Sequence, residues 1–255
     1  MVRSLATAAP NVVFLTVPDD AVAVVAARLA ALGDSVPASV AFVHASGALQ
    51  LGALAPLRRR HAVGSFHPLR SFPELGPPEA FRGIVIGVDA NSESLRRRLN
   101  RLARDLGARP KRVDDAQRAA YHAAAVFASN YVVALLAEAV RMLVLSGWTG
   151  KEAVQGLVPL AEGAVANVRK RGPVAALTGP IRRGDAKTVT RHLAALAELD
   201  ARARPGVPPK TDLYRMLGEV ALEIAKEAGL ERAAAEQTRR ALTRKVAATR
   251  RRSRQ

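Results

Sequence analysis

The chain has 255 residues, 49% of them hydrophobic and 4% aromatic, with a formal net charge of +17. That much apolar content supplies a core for one large domain or two of ordinary size and excludes global disorder. With no cysteine, disulfides, thiolate catalysis and cysteine-held zinc or iron–sulfur centres are excluded as well.

The first ten residues carry one arginine and no apolar core long enough for a secretory signal. Residues 12–17 (VVFLTV) then read as a buried strand, Pro18-Asp19-Asp20 as a turn, and 21–32 as an amphipathic helix. A second apolar strand over 39–43 ends in His44-Ala45-Ser46-Gly47, and a short helix is expected over 49–59. A third strand, 62–66, runs into His67-Pro68, and a proline-rich loop occupies 69–78. Residues 82–88 (RGIVIGV) form a fourth strand. Asn91 is placed to cap a helix over 92–106, and 111–113 can close the series as a short strand. This alternation predicts a mainly parallel sheet with helices on its faces and a ligand crevice at the carboxyl ends of its strands.

From Asp114 onward no strand candidate remains. Asp114 or Asp115 caps a helix expected to run unbroken to Ser146, with Gly147 as its stop signal; at 1.5 Å per residue that is about 48 Å. Helices near 150–170, 185–199, 209–228 and 230–250 complete an all-α region. The expected organisation is thus α/β over 1–112, helical over 113–238, and a basic helical tail over 239–255.

Residues 239–254 hold eight basic side chains and no acidic one, so taking eight from +17 leaves +9 for the rest. No aromatic residue interleaves with these charges to stack on bases. The tail therefore reads as a solvated terminal helix, and nucleic acid is not an expected partner. The charge-free segment 123–137 includes Ser129 and Asn130 and reads as too short and too polar to span a bilayer. A cytoplasmic protein without a membrane partner is expected. No metal-ligand spacing and no Gly-x-Ser-x-Gly turn is present.

Three sets of segments carry a resemblance: VVFLTVPDD (12–20); VHASGALQLGAL (43–54) with GSFHPLRSF (64–72); and YHAAAVFASNYVVAL (121–135) with ALTGPIRRGD (176–185). Together they resemble a family that joins a Rossmann-like NAD(P)-binding domain to a helical C-terminal domain of unknown function. More distantly, the chain is similar to pyrroline-carboxylate reductase, prephenate dehydrogenase and the phosphogluconate dehydrogenase C-terminal superfamily. The resemblance implies NAD or NADP as cofactor, a small and anionic substrate, and a homodimer built through the helical domain. Members of the family open with a glycine-rich strand–turn–helix and a residue selecting the cofactor ribose. Neither has a counterpart in this sequence. The first region therefore reads as a partial, N-terminally truncated Rossmann-like sheet, through a late-assigned start or a shortened paralogue, and cofactor binding is expected to be impaired. An oxidoreductase-like protein is the leading reading. A non-catalytic binding or regulatory protein that keeps the fold is the alternative.

Candidate site residues follow from strand ends and helix faces. By resemblance, the turn Val17, Pro18, Asp19 passes beside a nicotinamide ribose; Asp19 can equally be a helix cap. His44, Ser46 and Gly47 close the second strand on the ligand side, where a glycine admits close approach and a serine offers a hydroxyl. These six are the expected cofactor contacts. His67-Pro68 resembles the His-Pro pair of prephenate dehydrogenases, which implies an acid/base role for His67, the proline biasing it to an extended backbone. Arg118, His122 and Ser129 lie four and seven apart, on one helix face; His122 is the second acid/base candidate. Ser129 and Asn130 are expected to meet substrate, as are Arg182 and Arg183 in the loop TGPIRRGD, where a carboxylate or phosphate could be held. His61 and His192 lie among charged residues and read as surface.

Overall fold

The computed structural model describes residues 11–72, 76–203 and 206–244. By contact the chain divides into two compact units, Met1–Val132 and Val133–Gln255.

In the first unit, strands β1 (Val12–Leu15), β2 (Ala41–His44), β3 (Val63–Pro68), β4 (Val85–Ala90) and β5 (Arg109–Arg112) lie in sequential order in one sheet. β1–β2, β2–β3 and β4–β5 are parallel; β3–β4 is antiparallel. The reversal has a simple cause. A parallel pair needs a crossover long enough to carry the chain back, usually a helix. The described part of the proline-rich β3–β4 connection holds only the 3-10 turn Pro78–Phe81. Among the described residues β1 pairs with β2 alone.

The period of two in the strands sends alternate residues to opposite faces. Leu15, Phe42 and Val63 pack under helix α1 (Asp19–Ala30) and the 3-10 helix Leu51–Leu57, with Val22, Ala26, Leu54 and Leu57. Ala41, Val43, Phe66, Ile86 and Val88 pack on the other face under α2 (Glu93–Asp105), with Leu95 and Leu99. Ser92 caps α2 by accepting the Leu95 N–H, in place of the expected Asn91, whose Oδ1 instead accepts the Val63 N–H at 2.8 Å. His61 is also not on the surface. It is 6% exposed, its Nδ1 lies 3.0 Å from the Val40 carbonyl, and its ring stands edge-on to Phe42.

Helix α3 (Asp115–Ala128) is capped by Asp114, which accepts the Gln117 N–H. The helix expected to run unbroken to Ser146 is interrupted at Ser129 (φ −124°, ψ −73°) and resumes as α4 (Asn130–Leu145). Serine and asparagine side chains compete for backbone hydrogen bonds, so this pair is a weak point in a helix. By length and composition the stretch Asp115–Leu145 is long and apolar enough to cross a membrane, which the charge-free segment alone did not suggest. It also carries Asp115, Arg118, Glu138 and Arg141.

The second unit continues with α5 (Gly150–Ala176), opened by a capping box between Thr149 and Glu152 and turned at Gly172 (φ 75°, ψ 167°). α6 (Ala186–Asp200), α7 (Lys210–Glu227) and α8 (Arg232–Thr243) follow. Val189, Leu193, Leu222 and Leu242 form the core of these last three helices. The Asp200 carboxylate accepts the N–H groups of Lys210 and Thr211 and the Thr211 hydroxyl, so the end of α6 caps α7. Arg239 pairs with Glu219 and Glu223, and Arg240 with Glu236. The basic tail from 245 onward lies outside the described residues.

Candidate functional site

β1, β2 and β3 run parallel, so their carboxyl ends share one edge of the sheet. His44 at the end of β2 stands in register with Ser65 on β3, and Ser65 with Asp89 on β4, which puts three polar side chains on one face. All three are buried. Helix α3 lies against this layer through Arg118, only 1% exposed. Its Nη2 donates to Ser65 Oγ at 2.6 Å and to the Val113 carbonyl at 3.0 Å, and its Nη1 reaches the Ser46 carbonyl at 3.5 Å. Its Nε lies 3.8 Å from Asp115 Oδ1, and that carboxylate oxygen also accepts the Leu51 N–H. One guanidinium thus ties α3 to the ends of β2 and β3.

That anchor fixes what comes three and four residues later on the helix. The Tyr121 hydroxyl lies 2.9 Å from His67 Nδ1, and the His122 ring is 6.4 Å from the His67 ring, centre to centre. The turn after β2 closes against both histidines. A Cβ on Gly47 would lie 2.7 Å from His67 Cε1 and Nε2 and 2.9 Å from His122 Cδ2. A side chain there would have to displace one or both rings. Ser46 donates its hydroxyl to Asp19 Oδ2 at 2.8 Å and accepts the N–H groups of Ala48 and Leu49. Asp19 is not the helix cap; Pro18 holds that position without a side-chain bond. Its carboxylate instead links the β1 and β2 turns.

Beside these groups opens a cavity of about 680 Å³, lined among others by His67, Arg70, Tyr121, His122, Ser129 and Asn130. Burial, then the charges of His122 and Arg118, hold His67 below the ordinary imidazole range, and Asp19 opposes them. His44 is lowered further, to about 4, by burial and then Arg118. Both ring nitrogens of His44, and Arg118 Nε, are buried without a hydrogen-bond partner. Burial raises Tyr121 and Asp89. At neutral pH the site therefore presents His44 and His67 uncharged, with the Tyr121 phenol, beside a buried guanidinium. Among the described residues no group of three or more acidic or histidine side chains is placed to hold a metal ion.

The structure thus brings together Asp19, His44, Ser46, Gly47, His67, His122, Ser129 and Asn130 within the first unit. Val17 and Pro18 belong to its β1–α1 turn, with Val17 exposed. Arg182 and Arg183 lie in the second unit, where Arg182 Nη2 donates to the Ala228 carbonyl at the end of α7. Ser65 and Arg70 are not singled out from sequence, and Tyr121 is marked there only as the neighbour of His122, without a role. The spacing of Arg118, Tyr121 and His122 on one helix turn was the signal available for Tyr121.

The parallel strand ends, the polar layer and the cavity beside it belong to a Rossmann-like α/β unit that is followed in the chain by a helical unit. The chain belongs to the DUF2520 family, a domain of unknown function, whose family model matches residues 84–221, more than half its length. Solved structures with the same fold include a Thermotoga maritima protein (28% identity, TM-score 0.68, covering 86% of this chain and 79% of the other). A candidate NADP oxidoreductase from Bacteroides fragilis is 24% identical (TM-score 0.62, 84% and 75% covered). Pyrroline carboxylate reductase from Plasmodium falciparum, solved with NADP bound, is 12% identical (TM-score 0.50, 91% and 78% covered). No curated protein matches the sequence.

Proposed function

We propose that the chain is an NAD(P)-dependent oxidoreductase-like protein whose ligand site is the cavity beside His67. The observation that carries this reading is the convergence of His67, Tyr121 and His122 at the carboxyl edge of the parallel strands, the ligand side in such sheets. Among the described residues the cavity lining offers hydroxyl, imidazole and amide groups with one cation, Arg70, and no carboxylate. That composition suits a small anionic substrate. Ser129 and Asn130 would meet its polar atoms, and His67 and His122 would hold and move a proton.

A nicotinamide cofactor, when bound, supplies hydride chemistry. The turns carrying Asp19, Ser46 and Gly47 suit its ribose end. The pyrophosphate is another matter. Helix N-termini bind phosphate through free N–H groups, but the first turn of α1 carries Asp19 and Asp20, and no Gly-x-Gly-x-x-Gly run occurs in the sequence. Residues 1–255 by themselves are therefore expected to bind the cofactor weakly. The same observation supports the second reading, a binding or regulatory protein that keeps the fold without turnover.

Two assays separate these readings. Calorimetric titration with NADH and NADPH measures the cofactor. A panel of small keto and imino acids, each scored for nicotinamide oxidation with wild type, His67→Gln and His122→Gln, measures chemistry. Turnover lost in both variants supports the enzyme. Substrate binding without turnover supports the second reading, and no binding of either kind refutes both.

The assembly we propose is a soluble, cytoplasmic homodimer. α4 contains no buried residue, and α5 only Ala153. Val133, Leu160, Val165 and Met216 are each more than half exposed, and Trp148, Val154 and Val220 add to the same apolar set. Large apolar side chains exposed in this number are the surface that such a dimer would bury. Glu138 and Arg141 within α4 argue against burial in lipid, where such charges are expensive.

A further inference from the structure

We propose that Tyr121 is a positioning residue that holds His67 with its imidazole proton on Nε2, so that a ligand in the cavity meets an uncharged N–H donor. The inference rests on the His67 cavity being the ligand site, and it fixes which kind of group that site recognises.

The geometry starts from Tyr121 Oη, 2.9 Å from His67 Nδ1. The phenol fits there because the residue paired with His67 on β4 is Gly87, where a Cβ would lie 3.0 Å from the hydroxyl. Two directions of donation are open to such a pair. A phenol is far more acidic than a neutral imidazole N–H, so O–H···N is the stronger arrangement. It also pairs the hydroxyl proton, which the reverse arrangement would leave without an acceptor in a half-buried position. Burial keeps Tyr121 protonated and able to donate. Nδ1 is then the acceptor, and the ring proton sits on Nε2.

The groups facing His67 determine whether the ring takes a second proton. From α3 come His122 and Arg118, and from the β1–α1 turn comes Asp19. Burial and the first two disfavour the imidazolium, and Asp19 alone favours it. The ring stays neutral near pH 7. His67 lines the cavity, and Cε1 and Nε2 form the edge of its ring nearest Gly47. The ligand atom served is thus a lone-pair acceptor, a carbonyl oxygen or an imine nitrogen, and not an ammonium group.

The test is nitrogen-15 NMR of histidine-labelled full-length protein, with His67→Gln used to assign the resonance. We expect the Nε2–H signature for His67 between about pH 6 and 8. In Tyr121→Phe the Nδ1–H form should rise about fivefold relative to Nε2–H, as expected for the loss of one ordinary hydrogen bond. An Nδ1–H signature or a charged ring at pH 7 in the wild type overturns the proposal, as does a Tyr121→Phe spectrum unchanged at His67. If that variant does not fold, the wild-type spectrum decides by itself. Absence of nicotinamide-linked turnover would count against the oxidoreductase reading and leave the tautomer measurement standing, so the two failures are distinguishable.

Discussion

His44 should make the first unit acid-sensitive, and replacing it should remove that sensitivity. The side chain is fully enclosed, neither ring nitrogen has a partner, and its pKa is lowered from 6.5 to about 4, first by burial and then by Arg118. The sign follows from proton counts. Below pH 6.5 the unfolded chain takes up a proton at His44 that the folded chain refuses until about pH 4, so stability is present above the higher value and falls as pH drops toward the lower. Fully developed, the loss is about 3 kcal/mol; between pH 7 and 5 it is about 2 kcal/mol. In His44→Leu this share vanishes. Removing a buried polar group that makes no hydrogen bond also costs little at neutral pH. Native-state hydrogen exchange of the Val43 and Phe66 amides, corrected for intrinsic rates, reports on this sheet without interference from the helical unit. His61 and His67 are lowered as well, and comparing variant with wild type cancels their contribution. Equal loss of protection between pH 7 and 5 in both proteins would show that His44 is not held neutral by the fold.

Gly47→Ala drives a methyl into the His67 and His122 rings and should destabilise the first unit by roughly 1–3 kcal/mol, with both histidine spectra displaced; hydrogen exchange and NMR check it. Arg118→Met strips the donors from Ser65 Oγ and the Val113 and Ser46 carbonyls and should cost about 3 kcal/mol, while raising the His44 and His67 pKa values as the guanidinium repulsion disappears. Light scattering should give twice the 27.1 kDa chain mass, and Val133→Glu with Leu160→Glu should shift it toward the monomer; a wild-type monomer refutes the dimer. Calorimetry should find NADH and NADPH binding weaker than micromolar, and a micromolar dissociation constant for either refutes the impaired-cofactor reading.

Most of the fold was legible because its signals are local. Apolar runs of strand length, Pro18 ahead of α1, Asp114 ahead of α3 and Asp185 ahead of α6 each act within a few residues of themselves. What escaped depends on longer-range contacts or on close competition. The direction of β4 goes with the described part of the connection before it, which holds only the 3-10 turn Pro78–Phe81. The choice between Ser92 and Asn91 as cap turns on the distant Val63 N–H, which claims the asparagine. The break at Ser129 lies in an apolar run whose periodicity gives no warning of it, and only the adjacent Ser-Asn pair marks the place.

The site was legible in outline for a different reason. Stability alone favours apolar side chains at buried positions such as 44, 65 and 118, because a buried guanidinium and an unpaired imidazole carry desolvation costs that packing does not. On the α2 face of the same sheet the core contains only Ala, Val, Leu, Ile and Phe. On the other face the apolar layer of Leu15, Phe42 and Val63 gives way, two residues further along β2 and β3, to His44 and Ser65, and two beyond that to His67. The sheet therefore changes character at its carboxyl edge and on one face only, where the Gly47 turn and the cavity lie. A cost confined to one end of one face is what a binding site requires and what a core avoids. His67 and His122 could be singled out from sequence because a histidine after a strand and another on an apolar helix are visibly out of place. Arg118 could be placed on their face but not in their role, since nothing in sequence distinguishes an arginine that reaches inward to three oxygens from one that reaches outward to water.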